Sequence, residues 1–326
     1  MNYLIFIFIF CIILFLYLHI YHHLKISNDL EVYSVVNPTK EELEEICEIR
    51  QPVVFTVEKP ICTDIDVEYI HKNYGAFDIN IVNMEEKEDN SLLYYDSVPF
   101  VFNEGVEFLK TESNDKGFIS INNKDFLEET TLIKKFKQND YFLRPPLVSK
   151  CEYDILMGSK NSVSKCIYDI NYRNYVICID GRATIRVVSP TYKKYMDHQN
   201  NYLDFEFYTP LNIWNIQPQY KNVFDKVKTM DIILNKGDIV YIPAYWYYSI
   251  RFDNKITTLS TFKYRTYMNT MAILPELCIY MLQNQNIKRK KYLNYDEILN
   301  EEINKSNEPE INTDENISDI NNNKIN

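Results

Sequence analysis

The N-terminal two dozen residues constrain this chain more than any other feature of it. From Tyr3 to Tyr21 the sequence reads YLIFIFIFCIILFLYLHIY, nineteen residues without a charge, a Gly or a Pro. At about 1.5 Å of rise per residue, a helix of that length comes close to crossing a hydrocarbon core of roughly 30 Å. A core helix of a soluble domain is rarely apolar on every face. A cleaved secretory signal needs a basic start, a shorter apolar core and small residues at the cut, whereas the first Gly and Ala here are Gly75 and Ala76. The expectation is an uncleaved signal-anchor over residues 1–24, partnered by the lipid bilayer, in a single-pass protein of a host or virion membrane. Lys25 and Lys40 lie on its C-terminal flank and favour a cytoplasmic domain.

The remainder, about 300 residues, is long enough for one large domain or two small ones. A net charge of -11 and a pI near 5.1 argue against a general electrostatic grip on nucleic acid. Cys47, Cys62, Cys151, Cys166, Cys178 and Cys278 follow the apolar run with no CxxC spacing. They read as six buried thiols in a reducing compartment, with three disulfides as the alternative. The 27 tyrosines and 6 glycines, among many Asn, Ile and Lys residues, resemble coding from an AT-rich genome, such as that of a parasite or a large DNA virus.

Residues 25–38 read as a polar connector. Thr39 then reads as the N-cap of a helix, with Glu41 and Glu42 in its first turn and Leu43, Ile46 and Ile49 at helical spacing. QPVVFTV follows as a strand, and EEKEDN at 85–90 as a charged turn. In the second half, YVICI and IRVV flank the Asp180-Gly181 turn signal, DIILN and IVYIP flank Lys236-Gly237-Asp238, and KITTLSTFKYRTY is a further strand. A helix is expected over Tyr267–Gln285. The pattern predicts a mainly β domain with flanking helices over residues 39–290, a sandwich or a barrel. Residues 291–326 are acidic and Asn-rich, the composition of a disordered tail. The sequons at Asn304 and Asn316 carry no weight in so Asn-rich a tract.

Two phrases resemble the cupin-like, JmjC-related oxygenases, the group that includes the asparaginyl hydroxylases. YDINYRNYVICIDGRATIRVVSP is similar to that family's metal-binding strand, an H-x-D followed by an Asn, a strand, a Gly turn and a strand ending in Pro. KGDIVYIPAYWYYSIRF is similar to its later G-D-x-x-x-I-P phrase, which leads to the last metal histidine. The resemblance spans roughly residues 35–285 and implies a double-stranded β-helix, a jelly-roll barrel. It also implies iron held by two histidines and a carboxylate, with 2-oxoglutarate as co-substrate.

The residues do not follow that chemistry. The five histidines, His19, His22, His23, His71 and His198, all lie outside both phrases. An ungapped register from Asn174 puts Tyr168 and Ile170 at the first two ligand positions. A shift of one residue keeps Asp169 as the carboxylate and places Ile167 at the histidine. The last ligand position falls on Tyr248, the family's 2-oxoglutarate lysine on Ala183 and its late Asn on Thr261. The expectation is a non-catalytic binding or structural module, a pseudoenzyme with no metal and no cofactor, whose partner is an unidentified protein or small molecule.

Pocket candidates are Tyr168, Asp169, Asn174, Tyr248, Thr261 and Lys263, with Lys263 and the two tyrosines facing a small anion. The plain alternative is that Tyr168, Trp246 and Tyr248 fill the barrel, and that Asp169 and Arg173 are a solvent-side pair. Two further readings remain open: a divergent oxygenase using Asp169, tyrosines and His198, and a small-molecule sensor working through Lys263. No G-x-S-x-G, P-loop or H-E-x-x-H is present.

Overall fold

Gly181 decides how the barrel strands are joined. Its φ of +84° lies in the left-handed region, and a Cβ there would meet Thr257 Oγ1 at 2.9 Å and Ile256 O at 3.0 Å. Glycine therefore makes the turn at no steric cost. The strands on either side, Arg173–Asp180 and Arg182–Val188, do not pair as a hairpin; they belong to different sheets. Gly237, at φ +90°, does the same between Thr229–Asn235 and Ile239–Tyr241. Tyr247–Phe252 and Ile256–Thr266 repeat the alternation. Successive strands thus wind between two facing sheets, which is the expected double-stranded β-helix.

The computed structural model describes residues 2–27, 29–86, 92–94, 97–111 and 117–286. Among them the strands form one sheet of ten and one of six. The turn residues 87–90 and the acidic tail 291–326 lie outside the described residues. The chain divides into two units, 1–278 and 279–326, and the described part of the second, 279–286, is helical.

Two cores lie on opposite faces of the large sheet. Val176, Cys178 and Leu259 point between the sheets and meet Ala183, Ile185, Leu234, Phe252 and Trp246. The alternate residues Tyr175, Ile177, Ile179 and Phe262 point outward and meet Leu43, Cys47, Val106 and Phe136 from the helices. Burial on both faces explains why Arg173–Asp180 reads as a nearly continuous apolar run. Each buried Val, Ile or Leu stabilises the fold by roughly 1.5–3 kcal/mol.

Thr39 caps the helix Lys40–Glu48 as expected: its hydroxyl accepts from Glu42 N–H, and Glu42 accepts in turn from Thr39 N–H. Leu43 and Cys47 are the buried residues of this helix, while Ile49 is its exposed C-cap. The expected connector is partly ordered: Tyr33–Val36 pairs in parallel with Val53–Thr56 at the edge of the large sheet. The helix expected over Tyr267–Gln285 stops at Ala272 and restarts at Leu274, because Pro275 has no N–H to continue the ladder. All seven cysteines are free.

The N-terminal helix, Asn2–Leu24, carries no charged Asp, Glu, Lys or Arg. The span Tyr3–Leu24 is long and apolar enough to cross a membrane, and its 18-residue apolar window is not buried against the rest of the protein, whereas His23 near its end is buried.

Candidate functional site

The short strand Cys166–Tyr168 lies between Glu206–Thr209 and Tyr247–Phe252 in the small sheet. Ile167 pairs directly with Tyr248, and Tyr168 with Tyr247. Strand alternation then sorts the side chains. Ile167 and Tyr248 face the barrel mouth, whereas Tyr168 packs on Phe207 and Tyr247 in a separate outer cluster, ring centroids 5.4 and 4.9 Å away. The Tyr168 hydroxyl donates to Asn200 Oδ1 at 3.2 Å.

Asp169 follows that strand and sits between two donors. Tyr248 Oη donates to its Oδ2 and Lys263 Nζ to its Oδ1, both at 2.8 Å. Burial pushes the Lys263 ammonium down, but Asp169 and the neighbouring Tyr248 and Glu152 outweigh that and hold it above the usual lysine range. Burial and Asp169 together raise the Tyr248 phenol, so it stays protonated and donates. The result is an internally neutralised triad: one carboxylate, one ammonium and one phenol.

In front of the triad is a cavity of about 660 Å³. Thr261, Lys263 and Tyr248 form part of its lining, and Val82, Leu156, Ile167 and Ile250 supply apolar walls. The volume lies within the range of small-molecule sites, with a lining more polar than is usual for them. The triad and the cavity are adjacent because Lys263 and Thr261 share one face of the strand Ile256–Thr266, with Glu152 and Asp154 as their cross-strand partners. Asp154 also lines the cavity. Its oxygens accept from three backbone amides, Asn122 and Asn123 at 3.0 and 2.8 Å and Ile155 at 2.9 Å.

Of the six pocket candidates, Tyr248, Thr261 and Lys263 reach the cavity, and Asp169 stands behind it through its two hydrogen bonds. Tyr168 does not, for the alternation already given. Asn174 does not either: its amide donates to the carbonyls of Asn171 and Ile242, both at 3.3 Å, and acts as a strut. Trp246, fully buried, and Tyr248 both belong to the barrel core, Tyr248 also lining the cavity, whereas Tyr168 belongs to the outer cluster.

Asp169 and Arg173 are not a pair. Arg173 is buried and donates to Glu48 Oε1 at 2.5 Å, far from any solvent-side role. Ala183 is fully buried in the barrel core. His198 and His71 are exposed and absent from the cavity lining. Asp154, Glu152 and Asn122 went unnoticed in the sequence, although two carboxylates in phase with Leu156 on an alternating strand are a usable signal.

A family model described as the cupin-like domain matches residues 38–269. The chain belongs to the cupin-like domain family. No curated protein gives a significant match.

The family's iron can be tested against this cupin-like domain's own donors. The three positions of the shifted register, Ile167, Asp169 and Tyr248, are brought together: Ile167 pairs with Tyr248, and Tyr248 donates to Asp169. One is a hydrocarbon and one a protonated phenol, a poor ligand for Fe(II). The one carboxylate is already bound by an ammonium, whose charge repels a cation. Among the described residues no group of three His, Cys, Asp or Glu side chains is placed to hold a metal. These residues do not fit iron.

Proposed function

We propose that this chain is a membrane-tethered, non-catalytic cupin-like module that binds a small molecule in its barrel cavity without iron. The observation that carries this reading is Lys263 on Asp169: the carboxylate at the metal position is neutralised from within, yet the space in front of it is open at about 660 Å³. An abandoned site that had collapsed would leave surfaces alone to work with. An open one lined by buried polar groups retains a means of recognition.

The tether rests on the N-terminal helix, whose 18-residue apolar window within Tyr3–Leu24 is uncovered. Lys25 and Lys40 favour the cytoplasmic side for the barrel. The alternative of a divergent oxygenase gains nothing from His198, which is exposed and does not line the cavity.

The test is metal analysis of the full chain purified in detergent after iron loading, with 2-oxoglutarate turnover followed as succinate release. The expected result is iron far below one equivalent and no turnover. One equivalent of iron with coupled succinate release would overturn the reading.

A further inference from the structure

We propose that the ligand of this cavity is a small aliphatic amine, its ammonium held by Asp154 and Thr261. The inference rests on the binding-module reading and adds the chemistry of the ligand.

The charges that line the cavity set which ligands it can hold. Both lysines are engaged: Lys263 with Asp169 at 2.8 Å, and Lys165 with Glu206 at 3.0 Å. A ligand carboxylate or phosphate therefore finds no cation that is not already neutralised. Asp154 is the reverse case. Three backbone amides fix its position, yet among the described residues no ion pair involves it. Burial pushes its carboxyl up to about 6 in spite of those amides and of Lys263, as expected of a carboxylate short of a close counter-charge.

Thr261 supplies an independent sign. It faces Asp154 across the strand pair, is only 7% exposed and lines the cavity. Among the described residues its hydroxyl has no hydrogen-bond partner, and it is not one of the atoms sealed in the core, so it opens to the cavity. An ammonium offers three donors and no acceptor, so it can satisfy the Asp154 carboxylate and the Thr261 oxygen together. A metal ion is a poorer match, because the amides around Asp154 present hydrogens rather than further oxygens. The walls of Val82, Ile121, Leu156 and Ile250 suit an alkyl body attached to that ammonium.

The test uses four-carbon probes of matched length on the full chain in detergent: n-butylamine, 1,4-diaminobutane, 1,4-butanediol and succinate, by calorimetry and thermal shift. The two amines should bind saturably, and the diol and the dicarboxylate should not. Asp154→Asn should weaken amine binding more than tenfold. Because that variant also loosens the 122–123 loop, Thr261→Val, of the same shape, is the companion: it should fold as the parent does and weaken binding about fivefold. Succinate binding with inert amines would overturn the amine while leaving the iron-free module standing. Amine binding untouched by both substitutions, or no binding by either amine, would overturn it as well. Iron with succinate release in the metal assay would instead remove the module reading itself.

Discussion

Two clusters in this molecule contain the same three kinds of group, an acid, a base and tyrosine hydroxyls, and differ in the room around them. In the first, Asp169 is held by Lys263 and Tyr248 beside a cavity of about 660 Å³. In the second, Glu48 is held by Arg173 and by the Tyr172 hydroxyl, and the Arg173 guanidinium lies 4.0 Å from the Tyr172 ring centre. The space beside that cluster is about 10 Å³, bounded by His23, Arg50 and Asn269, enough for about one water. Arg50 donates there to the carbonyls of His23 and Lys25, at the negative end of the N-terminal helix. Asp169 and Arg173, four residues apart, thus belong to an open cavity and to a closed structural joint. A buried charge triad alone does not mark a site; adjacent empty volume separates the two.

The largest effect expected from this contrast is a gain of metal. Ile167→His, Tyr248→His and Lys263→Met together rebuild two histidines and a carboxylate in a place that has space for an ion. One equivalent of Co(II) is expected, read by its visible absorption. Restoring Lys263 to that variant should weaken Co(II) by more than tenfold, since an ammonium on Asp169 competes for the same oxygens. Equal Co(II) affinity with and without Lys263 would show that the internal cation is not what excludes metal.

Stability should divide the clusters next. Arg173→Met removes a guanidinium that is 3% exposed and packed over the Tyr172 and Tyr241 rings; Glu48, 37% exposed, stays partly solvated, and the unfolding free energy should fall by about 2–3 kcal/mol. Lys263→Met strands a carboxylate, but water in the cavity can solvate Asp169, so about 1–2 kcal/mol is expected. Denaturant titration of the two variants measures both. A loss for Lys263→Met equal to that for Arg173→Met would erase the distinction between an open and a closed cluster.

What the sequence made legible follows from what is local. The Thr39 N-cap, the turns at Gly181 and Gly237 and the alternation of buried strands are set by neighbours within a few residues, and they lead as far as a sandwich or barrel; the β-helix is what the resemblance implies. Strand partnership is not local. Asp180-Gly181 has the form of a hairpin turn, but packing on both faces sends Arg182–Val188 to the other sheet. The one-residue ambiguity between Tyr168/Ile170 and Ile167/Asp169 was equally unresolvable, since a slip of one exchanges the faces of a strand and only the pairing with Tyr247–Phe252 chooses between them. Arg173 found its partner 125 positions away in Glu48, which no spacing rule reaches. Asp154 belongs to the same class: its importance comes from Thr261 and from an empty volume, neither visible in the strand that carries it.

The smallest expected effect, and the one that reads both clusters in one titration, is the dependence of stability on pH. Burial pushes the Glu48 carboxyl up, but Arg173 and the Tyr172 hydroxyl outweigh it and hold it near 2, against a usual 4.5. A depressed carboxyl contributes stability above its unfolded value and loses it as pH falls from about 4.5 towards 2. Glu48 is 37% exposed, so solvent screening limits the contribution to about 1 kcal/mol. Asp154 has the opposite sign: raised by burial from 3.8 to about 6, it takes up a proton more readily folded than unfolded. Its ionisation therefore costs stability as pH rises from about 4 to 6, and the folded state gains as pH falls through that window. Subtracting the profile of each variant from that of the parent isolates each group. Glu48→Gln should remove a loss below pH 4.5 and leave the region from 4.5 to 6 unchanged, whereas Asp154→Asn should remove a gain between 6 and 4. Denaturation midpoints at pH 7, 5 and 3.5 suffice to separate them. If Asp154→Asn follows the parent between pH 6 and 4, the carboxylate already has its counter-charge within the protein, and the cavity loses the feature that distinguishes it from the closed joint.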